Sequence, residues 1–138
     1  MQEIKIAQSE EQILSGRILL VEDHEVNRNL LSDYLTYLGY QVFSLAEGST
    51  FFETISCFQP HLVLLDLKLP GIDGYTLLEQ MQQGLHYHTM SVFVISAYAF
   101  KADQQKAFRL GAKKYFVKPV NLSQLRLAIQ EELRDFSI

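Results

Sequence analysis

The chain has 138 residues, 48% of them apolar and 20% charged, with 7 Gly, 3 Pro and a single Cys. That length suits one domain with its own core, and the composition excludes disorder, collagen-like repeats and low complexity. The formal net charge of −4 argues against nonspecific binding to nucleic acid or to an anionic membrane. Charge is unevenly spread, however. Residues 101–126 hold seven of the twelve basic residues (Lys101, Lys106, Arg109, Lys113, Lys114, Lys118, Arg126) and one acid, Asp103. That stretch carries +6 and the remainder −10. A lone Cys57 can form neither an internal disulfide nor a cysteine metal cage. No apolar run nears the roughly 20 residues of a membrane span, and the N-terminus lacks the pattern of a signal peptide, so a cytoplasmic location is expected.

In chain order, residues 1–16 are polar, acidic and aperiodic and read as a leader or linker, with one domain over 17–138. A first apolar run covers 17–21. Val26, Leu30, Leu31, Tyr34, Leu35 and Leu38 then recur at helical spacing, and Gly39 stands where a helix C-cap belongs. Further apolar runs fall at 41–46, 62–65, 92–95 and 115–117, separated by weaker helical stretches near 48–58, 73–83 and 102–110. Leu122, Leu125, Ile129 and Leu133 close the chain as a helix, with Asn121 or Ser123 as its N-cap. Runs so short and so rich in branched apolar residues suit strands buried on both faces. Five strand–helix alternations imply an α/β, doubly wound parallel sheet with helices on both faces.

In such a sheet the functional crevice lies beyond the carboxyl ends of the strands. The first strand ends in Glu22-Asp23, the third in Asp66, the fourth in Ser96-Ala97 and the fifth in Lys118-Pro119. Neighbouring first and third strands bring three carboxylates together, and unpaired they repel one another. A hard divalent cation with oxygen ligands, Mg²⁺ or Mn²⁺, resolves that conflict. Lys118 adds a fixed positive charge, and Ser96 a hydroxyl able to bond an incoming oxyanion. Such a crevice suits phosphoryl chemistry, with Asp66 as the natural nucleophile.

Here the chain resembles the receiver domain of two-component response regulators over about residues 16–137. The resemblance is carried, in order, by Leu20-Val21-Glu22-Asp23, the run Leu64 to Gly74, Val94-Ile95-Ser96-Ala97, Gly111-Ala112 and Tyr115-Phe116-Val117-Lys118-Pro119. It implies the flavodoxin-like (βα)5 fold with strand order 2-1-3-4-5. It also implies that Asp66 accepts a phosphoryl group from a histidine kinase or a histidine phosphotransfer protein. Glu22, Asp23 and Asp66 would hold Mg²⁺ together with the Lys68 backbone carbonyl. Ser96 and Lys118 would contact the phosphoryl group, Ser96 and Tyr115 would form the switch, and the Lys118–Pro119 peptide would be cis. The run from Glu22 to Arg28 looks most like receivers of hybrid sensor kinases, many of which have Asn where this chain has His24.

Two side chains are candidates for setting the lifetime of a phosphorylated state. Lys68 lies two residues after Asp66, and Tyr98 two residues after Ser96. Residues 101–126 are a candidate surface for an output partner or a homodimer, set against the plain reading of a solvated helix face. His61, His86 and His88 read as surface or loop residues, and Gly71 and Gly74 as serving the turn and helix start.

Rival functions fare poorly. Flavodoxin-like phosphate binding needs a Ser/Thr/Gly-rich first loop, and Glu22-Asp23-His24-Glu25 would repel a phosphate. The P-loop signature is absent. Aspartate-nucleophile phosphatases carry a second Asp two residues on, where this chain has Lys68. The structural alternative is a degenerate receiver-like interaction module working without phosphorylation. The expectation is a phospho-accepting regulatory domain rather than an enzyme, with only intrinsic self-phosphorylation and self-dephosphorylation. Only Phe136-Ser137-Ile138 follow the final helix, so the expectation is a stand-alone receiver or one excised from a longer chain, its output coming from another molecule or domain.

Overall fold

A computed structural model describes residues 15–84 and 90–136. Among them the five apolar runs form five strands: β1 (Arg17–Val21), β2 (Gln41–Leu45), β3 (Leu62–Leu65), β4 (Ser91–Ser96) and β5 (Lys114–Val117). All pair in parallel, in the order β2-β1-β3-β4-β5. The intervening helices are α1 (Glu25–Tyr37), α2 (Phe51–Phe58), α3 (Gly74–Gln82), α4 (Lys101–Arg109) and α5 (Leu122–Glu132), followed by a 3₁₀ turn at Arg134–Phe136. Helix boundaries lie within three residues of the sequence expectation.

Strand side chains alternate between the two faces of the sheet, and the buried residues divide accordingly. Leu19, Val21, Val63, Leu65, Val92 and Val94 pack toward α2, α3 and α4, where Phe51, Ile55, Leu77, Met81 and Ala107 meet them. Ile18, Leu20, Leu62, Leu64, Phe93 and Ile95 pack toward α1 and α5, against Leu31, Leu35, Leu125 and Ile129. At roughly 1.5–3 kcal/mol for each fully buried aliphatic or aromatic side chain, these two layers dominate the stability of the fold.

Burial on both faces holds for β1, β3 and β4 but not for the other two strands. β2 and β5 are the sheet edges, and Phe43, Ser44, Lys114 and Val117 are exposed. An edge strand has one neighbour instead of two, and its helices cover it incompletely. The α1 stripe is likewise narrower than its spacing suggests: Leu31 and Leu35 are buried, whereas Val26 and Leu30 are 69% and 54% exposed.

Local signals set the element ends. Asn121 caps α5, its Oδ1 accepting from the Gln124 amide at 3.0 Å, so the cap is Asn121 and not Ser123. Gly39 follows α1 with φ +110°, a left-handed conformation that favours glycine. The Lys118–Pro119 peptide is cis. Residues 1–14 of the expected leader lie outside the described residues, but Gly16 already belongs to the sheet region, its carbonyl accepting from the Gln41 amide at 3.0 Å.

His61 lies in the loop before β3, within the surface-or-loop expectation, but specific contacts hold it there. It is half-buried, its ring stacks on Phe136 with centroids 4.0 Å apart, and its Nδ1 accepts from the Arg17 amide at 3.0 Å. His86 and His88 lie outside the described residues.

Candidate functional site

The site begins with register. Val21 pairs with both Leu45 and Leu65, so the residues that follow, Glu22 and Asp66, leave the sheet side by side. Their backbones continue the ladder for one more bond, Glu22 N–H to the Leu45 carbonyl and Asp66 N–H to the Val21 carbonyl, both 3.0 Å. Asp23 follows on the exposed side. One oxygen from each of Glu22, Asp23 and Asp66 lies within 4.8 Å of the others.

Burial makes this cluster costly unless it is compensated. Glu22 is 2% exposed and Asp66 4%. Compensation comes from Lys118, just past β5, whose Nζ donates to Asp66 Oδ2 at 2.8 Å and lies 2.6 Å from Glu22 Oε1. Burial opposes the charge on Lys118, but its bonds to Asp66 and Glu22 outweigh that and hold the ammonium pKa above its usual range. Burial is also the main cause of a raised Glu22 pKa, with Asp66 adding to it and the Lys118 and His24 hydrogen bonds opposing it.

Three carboxylates against one ammonium leave an excess of negative charge in a partly dry pocket. Oxygen donors of this kind suit a hard divalent cation, and the donor set fits Mg²⁺. The other carboxylate oxygens are held by backbone donors: Lys68 N–H reaches Asp66 Oδ1 at 3.0 Å, and His24 N–H reaches Glu22 Oε2 at 3.1 Å. Arg28, on the second turn of α1, donates to the Glu22 and Asp23 carbonyls at 2.9 and 3.1 Å. Nothing in the apolar spacing of α1 points to this strut, which reaches back six and five residues to the β1 end. His24 itself caps α1, its Nδ1 accepting from the Asn27 amide at 3.3 Å.

Gly74 explains how the loop after Asp66 closes. Its N–H bonds the Leu67 carbonyl at 2.8 Å, and a Cβ there would stand 2.6 Å from both the Asp66 carbonyl oxygen and the Leu67 Cα. The backbone approach leaves no space for a side chain.

The fourth strand supplies Ser96, fully buried. Its Oγ accepts from the Tyr98 amide at 3.1 Å, and its carbonyl accepts from the Lys118 amide at 2.8 Å. On β5, Tyr115 donates its hydroxyl to the Tyr98 carbonyl at 2.7 Å. Burial is the first cause that raises the Tyr115 phenol pKa, while the Ser96 hydroxyl opposes it. The Tyr98 residue is therefore bonded on one side by Ser96 and on the other by Tyr115. Tyr98, like Tyr75 and Tyr115, is partly buried and packs against the core layer beneath α3 and α4. Lys68 is exposed. Beside the carboxylates, Leu30, Leu31, Ile95, Pro119, Val120 and Leu122 line an apolar cavity of about 410 Å³ that reaches Glu22 and Lys118.

Comparison with known proteins places this arrangement. Residues 18–130 match the family described as the response regulator receiver domain. The chain belongs to that family. The receiver is 32% identical over 121 residues to sporulation initiation phosphotransferase F of Bacillus subtilis, covering 88% of this chain and 96% of that one. It is 36% identical to part of the sensor histidine kinase RcsC of Salmonella typhi, covering 83% of this chain but 12% of that protein. Among solved structures, the receiver domain of a sensor histidine kinase from Pseudomonas aeruginosa, determined with magnesium in its active-site cleft, superposes with a TM-score of 0.78 at 26% identity, covering 86% of this chain and 98% of that one. The BeF3-activated receiver domain of RstA from Klebsiella pneumoniae gives 0.80 at 26% identity, with 86% and 98% covered.

Receivers are regulatory, phospho-accepting domains of two-component signalling, and the Glu22, Asp23 and Asp66 cluster fits the phosphorylation site of one. Among the described residues no helix is long and apolar enough to cross a membrane.

Proposed function

We propose that this receiver accepts a phosphoryl group on Asp66 from a phosphohistidine of a histidine kinase or histidine phosphotransfer protein. The single observation that carries the assignment is the Asp66 carboxylate, 4% exposed, at a strand end beside Glu22 and Asp23 and bonded to Lys118. An Asp66 oxygen attacks phosphorus in line, the O–P bond forms as the N–P bond breaks, and the released imidazole keeps the electron pair and takes up a proton. Glu22, Asp23 and Asp66, with the Lys68 carbonyl, would hold Mg²⁺, which when bound supplies neutralising charge for the phosphoryl oxygens. Lys68 N–H, already on Asp66 Oδ1, orients the carboxylate, and Lys118 offers a charge-assisted bond to an incoming oxygen.

The added charge of about −1.5 to −2 has to be read by groups with two arrangements. Ser96 Oγ, now on the Tyr98 amide, would turn toward a phosphoryl oxygen, and Tyr115, bonded to the Tyr98 carbonyl, would follow that segment. Inverting a 1:99 equilibrium requires about 5.5 kcal/mol, and bonds from Lys118 and Ser96 supply part of it. The output face we assign to residues 101–126, where exposed Phe108 and Val117 accompany the basic side chains and exposed Phe100 and Leu127 flank the stretch. The domain is taken to begin at residue 17, to act in the cytoplasm, to phosphorylate itself from small phosphodonors and to lose the phosphoryl group slowly.

The test is phosphorylation by acetyl phosphate with Mg²⁺, read by mass spectrometry of the intact chain. Wild type gains one phosphoryl group and Asp66→Asn gains none. Stoichiometric labelling of Asp66→Asn would overturn the assignment.

A further inference from the structure

Helix α4 joins directly to the segment that carries the switch, yet it is poorly anchored by packing. It buries Ala107 and leaves its other residues half-buried or exposed. With so little apolar burial, its position depends on polar contacts more than that of the other helices does. Those contacts reach α3. Tyr75 Oη donates to Asp103 Oδ1 at 3.1 Å, the Lys106 ammonium sits 4.2 Å above the Tyr75 ring, and Gln82 Nε2 donates to the Arg109 carbonyl at 3.3 Å.

The position of Tyr75 gives these contacts a consequence. It is the second residue of α3, immediately after Gly74, whose amide closes the loop following Asp66. Asp103 stands on the first turn of α4, seven residues after Ser96. The Tyr75–Asp103 bond therefore ties the segment that leaves the phosphoacceptor to the segment that leaves Ser96.

Resting on the phosphoacceptor reading, we propose that Tyr75 is a positioning residue of the switch: by clamping Asp103 it pins α4 to α3 and holds the Ser96–Tyr98 segment as it stands here. While its Oγ accepts from the Tyr98 amide, Ser96 keeps its present orientation and only its O–H is left to donate to a phosphoryl oxygen, so whatever restrains this segment lowers the population of the form in which Ser96 has turned to that oxygen. Uptake from a small donor scales with that population. Removing the clamp speeds labelling, about three- to tenfold, the range that the net worth of one hydrogen bond allows.

The experiment compares wild type with Tyr75→Phe, which deletes the hydroxyl and keeps the ring under Lys106. Two readouts are taken: the initial rate of labelling by acetyl phosphate with Mg²⁺, and amide hydrogen exchange over residues 101–109 without any phosphodonor. The expected result is faster labelling together with at least threefold faster exchange in α4. Asp103→Ala, which removes the carboxylate but leaves the longer 3.4 Å contact of the Tyr75 hydroxyl to the residue-103 carbonyl, should reproduce both effects to a smaller extent. Asp103→Asn, which keeps the side-chain acceptor oxygen, should restore wild-type values, and the double variant Tyr75→Phe with Asp103→Ala should add nothing beyond Tyr75→Phe. Wild-type values for Tyr75→Phe, in a wild type that labels, overturn the clamp. Failure of wild type itself to label overturns the phosphoacceptor reading, and the exchange data then still report whether the clamp holds α4.

Discussion

Lys118 lies 2.6 Å from Glu22 and 2.8 Å from Asp66, so one ammonium serves two buried carboxylates rather than waiting for a phosphoryl group. Replacing Lys118 by Met leaves both acids without that charge beside Asp23. The expected loss is about 2 kcal/mol in metal-free buffer, below the roughly 3–5 kcal/mol of a fully buried broken pair because the Lys118 side chain keeps 20% exposure. Adding Mg²⁺ should raise the melting temperature more in this variant than in wild type, since the cation then replaces a missing charge. Equal melting temperatures without metal would count against the pairing as described.

Gly74 is a second sensitive point. A methyl group there meets backbone atoms of Asp66 and Leu67 at 2.6 Å, and backbone cannot rotate away as a side chain can. Gly74→Ala is expected to cost about 3 kcal/mol, the upper end for overpacking, and to slow labelling by displacing the loop. Chemical denaturation checks the first effect. A change under about 0.5 kcal/mol, the usual scatter of neutral surface substitutions, contradicts it.

The His61 contact sets a pH dependence away from the acidic cluster. Burial lowers its pKa below the ordinary 6.5, and the Arg17 charge adds to this. The native state thus prefers the neutral ring, whose Nδ1 accepts from the Arg17 amide. A depressed folded-state pKa contributes stability that is present above 6.5 and lost as pH falls below it. His61→Gln should flatten the fall in the denaturant midpoint between about pH 7.5 and 5.5. Parallel profiles for the two proteins would refute the role.

Tyr98 concerns the lifetime of the phosphorylated state. Its backbone is held by Ser96 and Tyr115, and we assign its ring to obstructing the hydrolytic water, with Lys68 pairing the phosphoryl oxygens. Tyr98→Ala should shorten the half-life of the phosphorylated protein, measured by loss of label after donor removal. An unchanged or longer half-life would refute the shielding.

Much of this molecule is legible in one dimension. Asp66 and Glu22 follow apolar runs whose only reasonable place is inside a parallel sheet, so their position at strand ends follows from the pattern itself. The Gly39 cap is legible because it depends on neighbours within four residues, whereas the N-cap of α5 stays open between Asn121 and Ser123 until the structure places it at Asn121. What sequence shows only in part is which runs are central. Gln41 and Ser44 interrupt the run that becomes β2 while Leu62–Leu65 is unbroken, but it is strand order that makes β2 an edge with Phe43 46% exposed and β3 fully buried.

The uneven charge noted at the outset separates along the same line. Sequence alone determined that an acidic crevice and a basic lysine occur at strand ends, because the strand–helix period sends those positions to one edge. Only the tertiary structure decided that Lys118 neutralises both Glu22 and Asp66 across 96 and 52 residues of chain. It likewise decided that Arg28 struts the β1 end and that Tyr75 meets Asp103. The physical reason is range. Local patterns record hydrogen bonds and burial that repeat within a turn or a strand, whereas these pairings depend on how separate helices dock onto the sheet.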